Sequence, residues 1–168
     1  PVVEIDFSGL HIVILYSIVG IDYWNKIGKD PYDLSGYGYK MDDRTRNLLK
    51  LILLVSINAK KGKKKELSQA KKAVLNEIRS DDDLSWVKTV FTNDQIEQLI
   101  DDFADYHKPI KQYFYSKKGV ELQYIDSLIA ELIINHFTRL DIPVLCIHDS
   151  FVIEWNKENL GDEEESLD

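Results

Sequence analysis

Two short runs of β-branched and apolar residues stand near the two ends of this chain, and a long stretch with helical patterning separates them. The first run is residues 2–7, and the second is residues 142–147, followed closely by a third at 151–155. Short runs rich in Val and Ile are typical of β-strands, and a run that is apolar on both faces is typical of a buried one. We therefore predict an α+β fold in which a small antiparallel sheet, built from both ends of the chain, carries a mainly helical insertion.

Each of the first two runs leads into a carboxylate. Asp6 ends the first strand, and Asp149 lies in the predicted turn His148-Asp149-Ser150 that follows the second. Two acids at adjacent strand ends suit a site for two divalent cations, which holds the attacking and leaving oxygens of a phosphoryl transfer. Each acid taken alone is equally typical of a turn or a cap.

Helical periodicity fills the middle of the chain. Gly20 marks the end of the first helix, Asp42 or Asp43 caps the second, and Thr92 or Asn93 caps the fourth. The helices are predicted at residues 10–19, 43–60, 64–79, 94–106 and 119–140. The last of them has apolar residues at helical spacing along one side, which is typical of a face packed on a core.

One face of the second helix combines positive charge with polar and apolar residues. Arg46, Lys50, Leu54 and Asn58 are spaced by four and so share this face. Two cations one turn apart repel each other by a few tenths of a kcal/mol, so we expect an anion opposite them. A triphosphate would suit, because Arg forks to two oxygens and Lys supplies a point charge. The alternative is a pair of solvated surface side chains.

Composition narrows the class of protein. The 168 residues suffice for one domain with a sizeable core, and the net charge of −8 argues against a surface that is basic throughout. A single cysteine, Cys146, excludes an intrachain disulfide, and no apolar run is long enough to span a bilayer. We therefore expect a cytoplasmic protein without a membrane partner. Because the first motif begins directly after Pro1, we also expect the chain to belong to a longer parent.

Other side chains are predicted to be structural. His107 precedes Lys108-Pro109 in a predicted loop and is expected to be exposed. Tyr113, Phe114 and Tyr115 are expected in a buried aromatic cluster, although aromatic side chains of this kind also stack on nucleobases. The lysine cluster at residues 60–65 is interpreted as a solvated loop and helix start.

Three motifs, taken in order, resemble those of family A polymerases, which include bacterial and phage DNA polymerases and single-subunit phage RNA polymerases. They are Asp6-Phe7-Ser8-Gly9-Leu10-His11, Arg46-x3-Lys50 and His148-Asp149-Ser150-Phe151. The resemblance implies a palm whose first part is residues 1–41, a fingers-like insertion at 42–118, a second part of the palm at 119–160, and an acidic tail at 161–168. It further implies an origin in a phage, plasmid or other mobile element and a role in nucleic-acid synthesis such as DNA replication.

The resemblance also implies roles for individual residues. Asp6 and Asp149 would bind two Mg²⁺ ions, for which Mn²⁺ is a substitute, with the Phe7 carbonyl as a further ligand. Arg46 and Lys50 would hold the incoming nucleoside triphosphate. His148 would lie beside the primer terminus. The implied partners are a nucleic-acid template and primer, nucleoside triphosphates, and the remainder of the parent chain.

Two positions depart from the family pattern and concern the choice of nucleotide and sugar. Asn58-Ala59 stands where the second motif ends in Tyr-Gly, and His11 stands where DNA polymerases place a Glu that acts as a steric gate. His11 either gates the sugar or caps the first helix.

Two alternatives to a polymerase stay open. One is a non-catalytic nucleic-acid-binding or assembly module that keeps a palm fold, which the altered second motif favours. The other is a two-metal nuclease, which needs further acids near the site. Glu4 and Glu154 are the candidates, and strand alternation puts Glu4 on the same face as Asp6.

Overall fold

The computed structural model describes residues 2–59, 64–80, 82–147 and 150–154, with the backbone alone for 64–70. The described chain is a mixture of helices and a small antiparallel sheet, which confirms the α+β class. Its strands are β1 (Val2–Asp6), β2 (Val144–Ile147) and β3 (Ser150–Glu154). Its α-helices are α1 (Leu10–Ile18), α2 (Tyr23–Lys26), α3 (Asp43–Asn58), α4 (Lys64–Ser80), α5 (Val87–Val90), α6 (Asn93–Tyr106) and α7 (Gly119–Arg139). Short 3-10 turns are at Ser35–Tyr37, Asp82–Leu84 and Lys108–Tyr113.

The chain divides into two compact units. The helical unit is residues 9–122, and the sheet unit combines residues 1–8 with 123–168. Helix α7 begins in the helical unit and continues into the sheet unit. Helix α1 lies in the helical unit, and the predicted palm and fingers boundary at 41/42 is a separate division that stays a prediction. The identification of these parts as palm and fingers stays a prediction.

The sheet has the order β1-β3-β2, with every neighbouring pair antiparallel. β3 is therefore the central strand, although it is the last in the sequence. In the register, Asp6 lies opposite Ser150 and Val2 opposite Glu154, while Ile147 lies opposite Ser150 on the other side. The two ends of the chain thus pair directly, as the sequence predicts.

Alternation along the strands gives the sheet one buried and one open face. Phe151 and Ile153 of the central strand are almost fully buried, at 4% and 1% exposure. The opposite side, here called the open face, carries the exposed residues Val2, Glu4, Asp6, Leu145, Ile147 and Glu154. The expectation that the first strand is buried is wrong, since Val2 is 70% exposed. Among the described strands, β1 is an outer one that pairs with β3 alone, and three of its five side chains point to the open face.

The core of the helical unit comes from apolar residues at helical spacing. In α3, the residues at spacings of three and four that point inward are fully or almost fully buried: Leu48, Leu49, Ile52, Leu53 and Ile57. Helix α6 contributes Leu99, Ile100 and Phe103, and α1 contributes Ile12, Leu15 and Tyr16. Phe114 and Tyr115 are also buried, as predicted for the aromatic cluster, whereas Tyr113 is only half-buried.

Side-chain caps define where the helices begin. The Asp42 carboxylate accepts a hydrogen bond from the Thr45 amide at 2.9 Å, so Asp42 is the N-cap of α3. Thr92 caps α6 in a reciprocal capping box with Gln95. Each cap contributes about 1 kcal/mol, because it satisfies amides that have no partner within the helix. Both predicted caps are confirmed.

Candidate active site

The strand that ends in Asp6 pairs with the strand that follows Asp149. Asp6 is the last residue of β1, its side chain is exposed on the open face, and its partner across the ladder is Ser150. Ile147 lies on the other side of Ser150, so Asp6, Ser150 and Ile147 form one row across the sheet. The row places the predicted acid of the first motif directly opposite the third motif.

The third motif itself is described only at its edges. Ile147 and Ser150 pair with each other, and two residues, His148 and Asp149, separate them in the sequence. The Ser150 hydroxyl donates a hydrogen bond to the Ile147 carbonyl at 3.1 Å. His148 and Asp149, both predicted to be catalytic, lie outside the described residues, as do most of the lysine cluster at 60–65 and the acidic tail.

Phe7, the residue after β1, packs against the central strand. Its ring meets the Phe151 ring edge-on, with centroids 6.0 Å apart. This contact holds the backbone that directly follows Asp6, including the Phe7 carbonyl that is predicted as a metal ligand. Aromatic pairs of this geometry contribute about 0.5–1.5 kcal/mol beyond the burial of their area.

The helix after the first motif begins with glycine. Gly9 is the N-cap of α1 with a φ of 66°, and no side chain caps the helix. A Cβ at this position would come within 2.7 Å of Pro31 Cγ, so only glycine fits both the backbone and the contact. His11 is half-buried one residue inside α1. The alternative that His11 caps the helix is therefore wrong, and its predicted role in sugar selection stays a prediction.

Three acids share the open face of the sheet. Glu4 and Asp6 are two residues apart on β1 and therefore point to the same face, and Glu154 lies opposite Val2 on the neighbouring strand. Among the described residues, no group of three or more His, Cys, Asp or Glu side chains is arranged to hold a metal ion. Exposed carboxylate oxygens such as that of Asp6 are nevertheless the type of ligand that Mg²⁺ takes.

Arg46 is bound by an acid of its own chain. Its Nε donates to Asp30 Oδ2 at 2.8 Å, and its Nη2 lies 3.4 Å from Asp30 Oδ1. The guanidinium also lies over the Tyr32 ring, 5.1 Å from the centroid. The hydrogen bond to Asp30 raises the pKa of Arg46 above its ordinary value, against the opposing effect of burial. The sequence predicts an anion opposite Arg46 and Lys50 together, and Asp30 supplies one for Arg46.

The rest of the α3 face is open to solvent. Lys50 is exposed one turn after Arg46, and the part of the chain that the structure describes supplies no acid partner for it. Leu54 is 44% exposed. Asn58 donates to the Leu54 carbonyl at 2.8 Å, and its side-chain amide lies against Gly119, so that a Cβ at residue 119 would displace it. All four residues lie on α3, so the prediction that they share one helix face is confirmed, and Asn58 also contacts the start of α7.

A buried histidine joins three segments of the helical unit. His107 is fully buried, its Nε2 lies 2.8 Å from the Pro31 carbonyl, and its Nδ1 lies 3.2 Å from the Tyr16 hydroxyl. A carbonyl only accepts, so Nε2 carries the proton and Nδ1 accepts from Tyr16. Burial lowers the pKa of His107 to about 4, which keeps the ring neutral. The expectation that His107 is exposed is wrong, because the residue ends α6 facing the core.

The sequence does not reveal three residues that surround Arg46 or hold its surroundings in place. They are Asp30, Tyr32 and His107. The sequence holds 29 acids, and Asp30 lies sixteen positions before the arginine that it binds. His107 and Pro31 are 76 positions apart. The one local signal is Asp30-Pro31 itself, a pair that favours a turn with the Asp side chain bonded to nearby backbone.

Comparison with known proteins identifies no relative. No protein-family model, no curated protein and no solved structure matches this chain. No helix within the described residues is long and apolar enough to cross a membrane. The motif residues and their geometry are therefore the only basis here for inferring a function.

Proposed function

We propose that this chain is the catalytic core of a template-dependent nucleotidyltransferase, similar to a family A DNA or RNA polymerase. The observation that carries the proposal is the register of the sheet, in which Asp6 lies directly opposite Ser150, the residue after Asp149. Because Asp149 directly precedes Ser150 in the sequence, we propose that both acids act at this end of the sheet. This is the placement that a two-cation phosphoryl-transfer site needs.

The open face supports the same proposal. Asp6 is exposed on it, and so are the apolar side chains of Leu145 and Ile147 on β2, across the central strand. In the proposed function, the primer end approaches over this face and the carboxylates of Asp6 and Asp149 hold Mg²⁺. Ions held by these carboxylates would supply positive charge that favours loss of the proton from the primer 3′-hydroxyl and offsets negative charge on the phosphoryl group. The side chain of His148 is proposed to contact the primer backbone.

The helical unit supplies the proposed triphosphate site. Arg46 and Lys50 lie one turn apart on an exposed helix face, and their combined charge matches a polyphosphate. Arg46 orients the anion through its planar fork, while Lys50 adds charge without fixed geometry. Asn58 and His11 are proposed to influence which nucleotide and sugar are accepted.

Primer extension tests the proposal. The protein that carries this chain is assayed with a labelled primer–template, Mg²⁺ or Mn²⁺, and either deoxynucleoside or ribonucleoside triphosphates. Asp6→Asn and Asp149→Asn are each expected to lower the extension rate by about a thousandfold, which is about 4 kcal/mol of transition-state stabilisation. Glu4→Gln is the matched control, because Glu4 lies on the same face of the same strand two residues away. Its rate is expected to stay within about threefold of wild type.

A non-catalytic binding module is the second candidate. The Asp30–Arg46 ion pair favours it, because Arg46, which would bind the triphosphate, already binds an acid of its own chain. Extension that is absent in wild type, with primer–template bound equally by wild type and both Asp variants, would establish this alternative. Metal-dependent cleavage of the primer that is lost in Asp6→Asn and Glu4→Gln alike would establish a nuclease.

A further inference from the structure

We infer that Asp30 is a built-in competitor for the anion that binds Arg46, so that a triphosphate must take the guanidinium from the Asp30 carboxylate. The identity of the ligand as a triphosphate rests on the proposed function. The competition itself rests on the contacts around Asp30, all of which lie within the helical unit.

The Asp30 carboxylate imitates a phosphate in its contact with Arg46. Both carboxylate oxygens face the guanidinium, at 2.8 Å from Nε and 3.4 Å from Nη2. This two-point arrangement is the one in which arginine also binds two oxygens of a phosphate group. The two anions therefore compete for the same edge of the guanidinium.

The backbone around Asp30 is held in place on both sides. The Tyr23 hydroxyl donates to the Lys29 carbonyl at 3.0 Å, and His107 Nε2 donates to the Pro31 carbonyl at 2.8 Å. Asp30 Oδ1 additionally accepts from the Tyr32 amide at 3.2 Å. Since Tyr23, Tyr32 and His107 are buried, the loop is anchored in the core. Exchange of partners then requires movement of the long Arg46 side chain and leaves the loop where it is.

The strength of the ion pair suits a competitor that gives way. The Arg46 and Asp30 side chains are 28% and 40% exposed, so solvent screens their attraction. Exposed ion pairs of this kind change an equilibrium by about two- to fivefold. A polyphosphate that also reaches Lys50 gains a second cationic partner, whereas Asp30 binds Arg46 alone. The pair therefore lowers affinity for an anion modestly and does not block it.

Titration of the whole chain with inorganic tripolyphosphate in EDTA tests this inference. NMR follows the Nε–Hε resonance of Arg46, the group that donates to Asp30. For wild type, we expect this resonance to move on addition of tripolyphosphate. For Asp30→Asn, we expect a Kd about two- to fivefold lower. Asp33→Asn is the matched control, because Asp33 lies in the same loop, loses the same charge and bonds to the Ser35 amide.

The outcomes separate this inference from the proposed function. A Kd that is unchanged or higher in Asp30→Asn, an equal gain in Asp33→Asn, or no binding in any variant would each overturn the competition. A gain confined to Asp30→Asn would establish it, provided that the gain is lost in Asp30→Asn/Arg46→Gln, for which the backbone amide resonance of Lys50 follows the titration. That result stands even if primer extension fails, because the titration involves neither metal nor nucleic acid.

Discussion

The helical unit and the sheet unit differ in how completely they bury their apolar residues. Among the described residues, the buried hydrophobic side chains belong to the helical unit with two exceptions, Phe151 and Ile153 of the central strand. Apolar residues of the sheet unit are instead exposed, including Leu145 at 59% and Leu132 on α7 at 70%. The apolar side of α7, typical of a packed face in sequence, is only half-buried where it runs through the sheet unit.

The difference separates the part of the molecule that supplies most of the buried core from the part that carries Asp6, the proposed metal ligand. A core such as that around Phe103 contributes stability because its side chains leave water completely. A surface that binds a ligand must stay accessible, and the open face with Asp6 is accessible. The helical unit also joins distant segments by hydrogen bonds, as at His107, whereas the sheet unit is joined mainly by its backbone ladder.

The largest effect is expected from a core substitution in the helical unit. Phe103 is fully buried and its ring contacts those of Tyr32, His107 and Phe114. Phe103→Ala should lower the free energy of unfolding by about 4 kcal/mol, since it removes buried surface and leaves a cavity. Urea denaturation measures this value. A loss below about 1 kcal/mol would mean that the core of the helical unit is not the main source of stability, contrary to the difference drawn between the two units.

A second expectation concerns acid. In the unfolded protein, His107 takes up a proton near its ordinary pKa of 6.5. In the folded protein, burial lowers this pKa to about 4. As the pH falls from 6.5 to 4, the unfolded state gains protons that the folded state does not, so stability should fall. The loss should approach about 3 kcal/mol and should be absent above pH 6.5. Tyr16, whose pKa is raised to about 12 chiefly by burial, stays a neutral donor throughout.

Unfolding free energies of wild type and His107→Gln at pH 7.0 and 4.5 measure this dependence. The variant should be less stable at pH 7.0 and should lose less stability on acidification. His136→Gln is the control, because His136 is exposed and should leave the pH dependence of wild type unchanged. An equal loss in wild type and His107→Gln would show that another group is responsible.

The smallest effect is expected on the open face. Leu145→Ser replaces a side chain that is already 59% exposed, so the free energy of unfolding should change by about 0.5 kcal/mol or less. The same urea titration provides the measurement, with Phe103→Ala as the contrast. A loss of more than about 1 kcal/mol would show that the open face is covered in solution, and the two units would then no longer differ in this respect.

The local elements of this protein follow from its sequence. Asp42 and Thr92 begin α3 and α6, as predicted, because a cap forms between residues three positions apart. The apolar residues of α3 recur at helical spacing, and that periodicity predicts its buried face whatever the helix packs on. Pairing of the two chain ends also follows, since the few strand-forming runs have only one another as partners.

Tertiary structure alone decides which distant groups meet. The central place of β3 in the sheet, the binding of Arg46 by Asp30 and the burial of His107 join residues that no local pattern connects. Each of them depends on how whole elements pack, since burial and partner choice are properties of the assembled core. The sequence by itself therefore determined the elements and the candidate acids, while packing determined that Arg46 already holds an anion and that the face with Asp6 lies open.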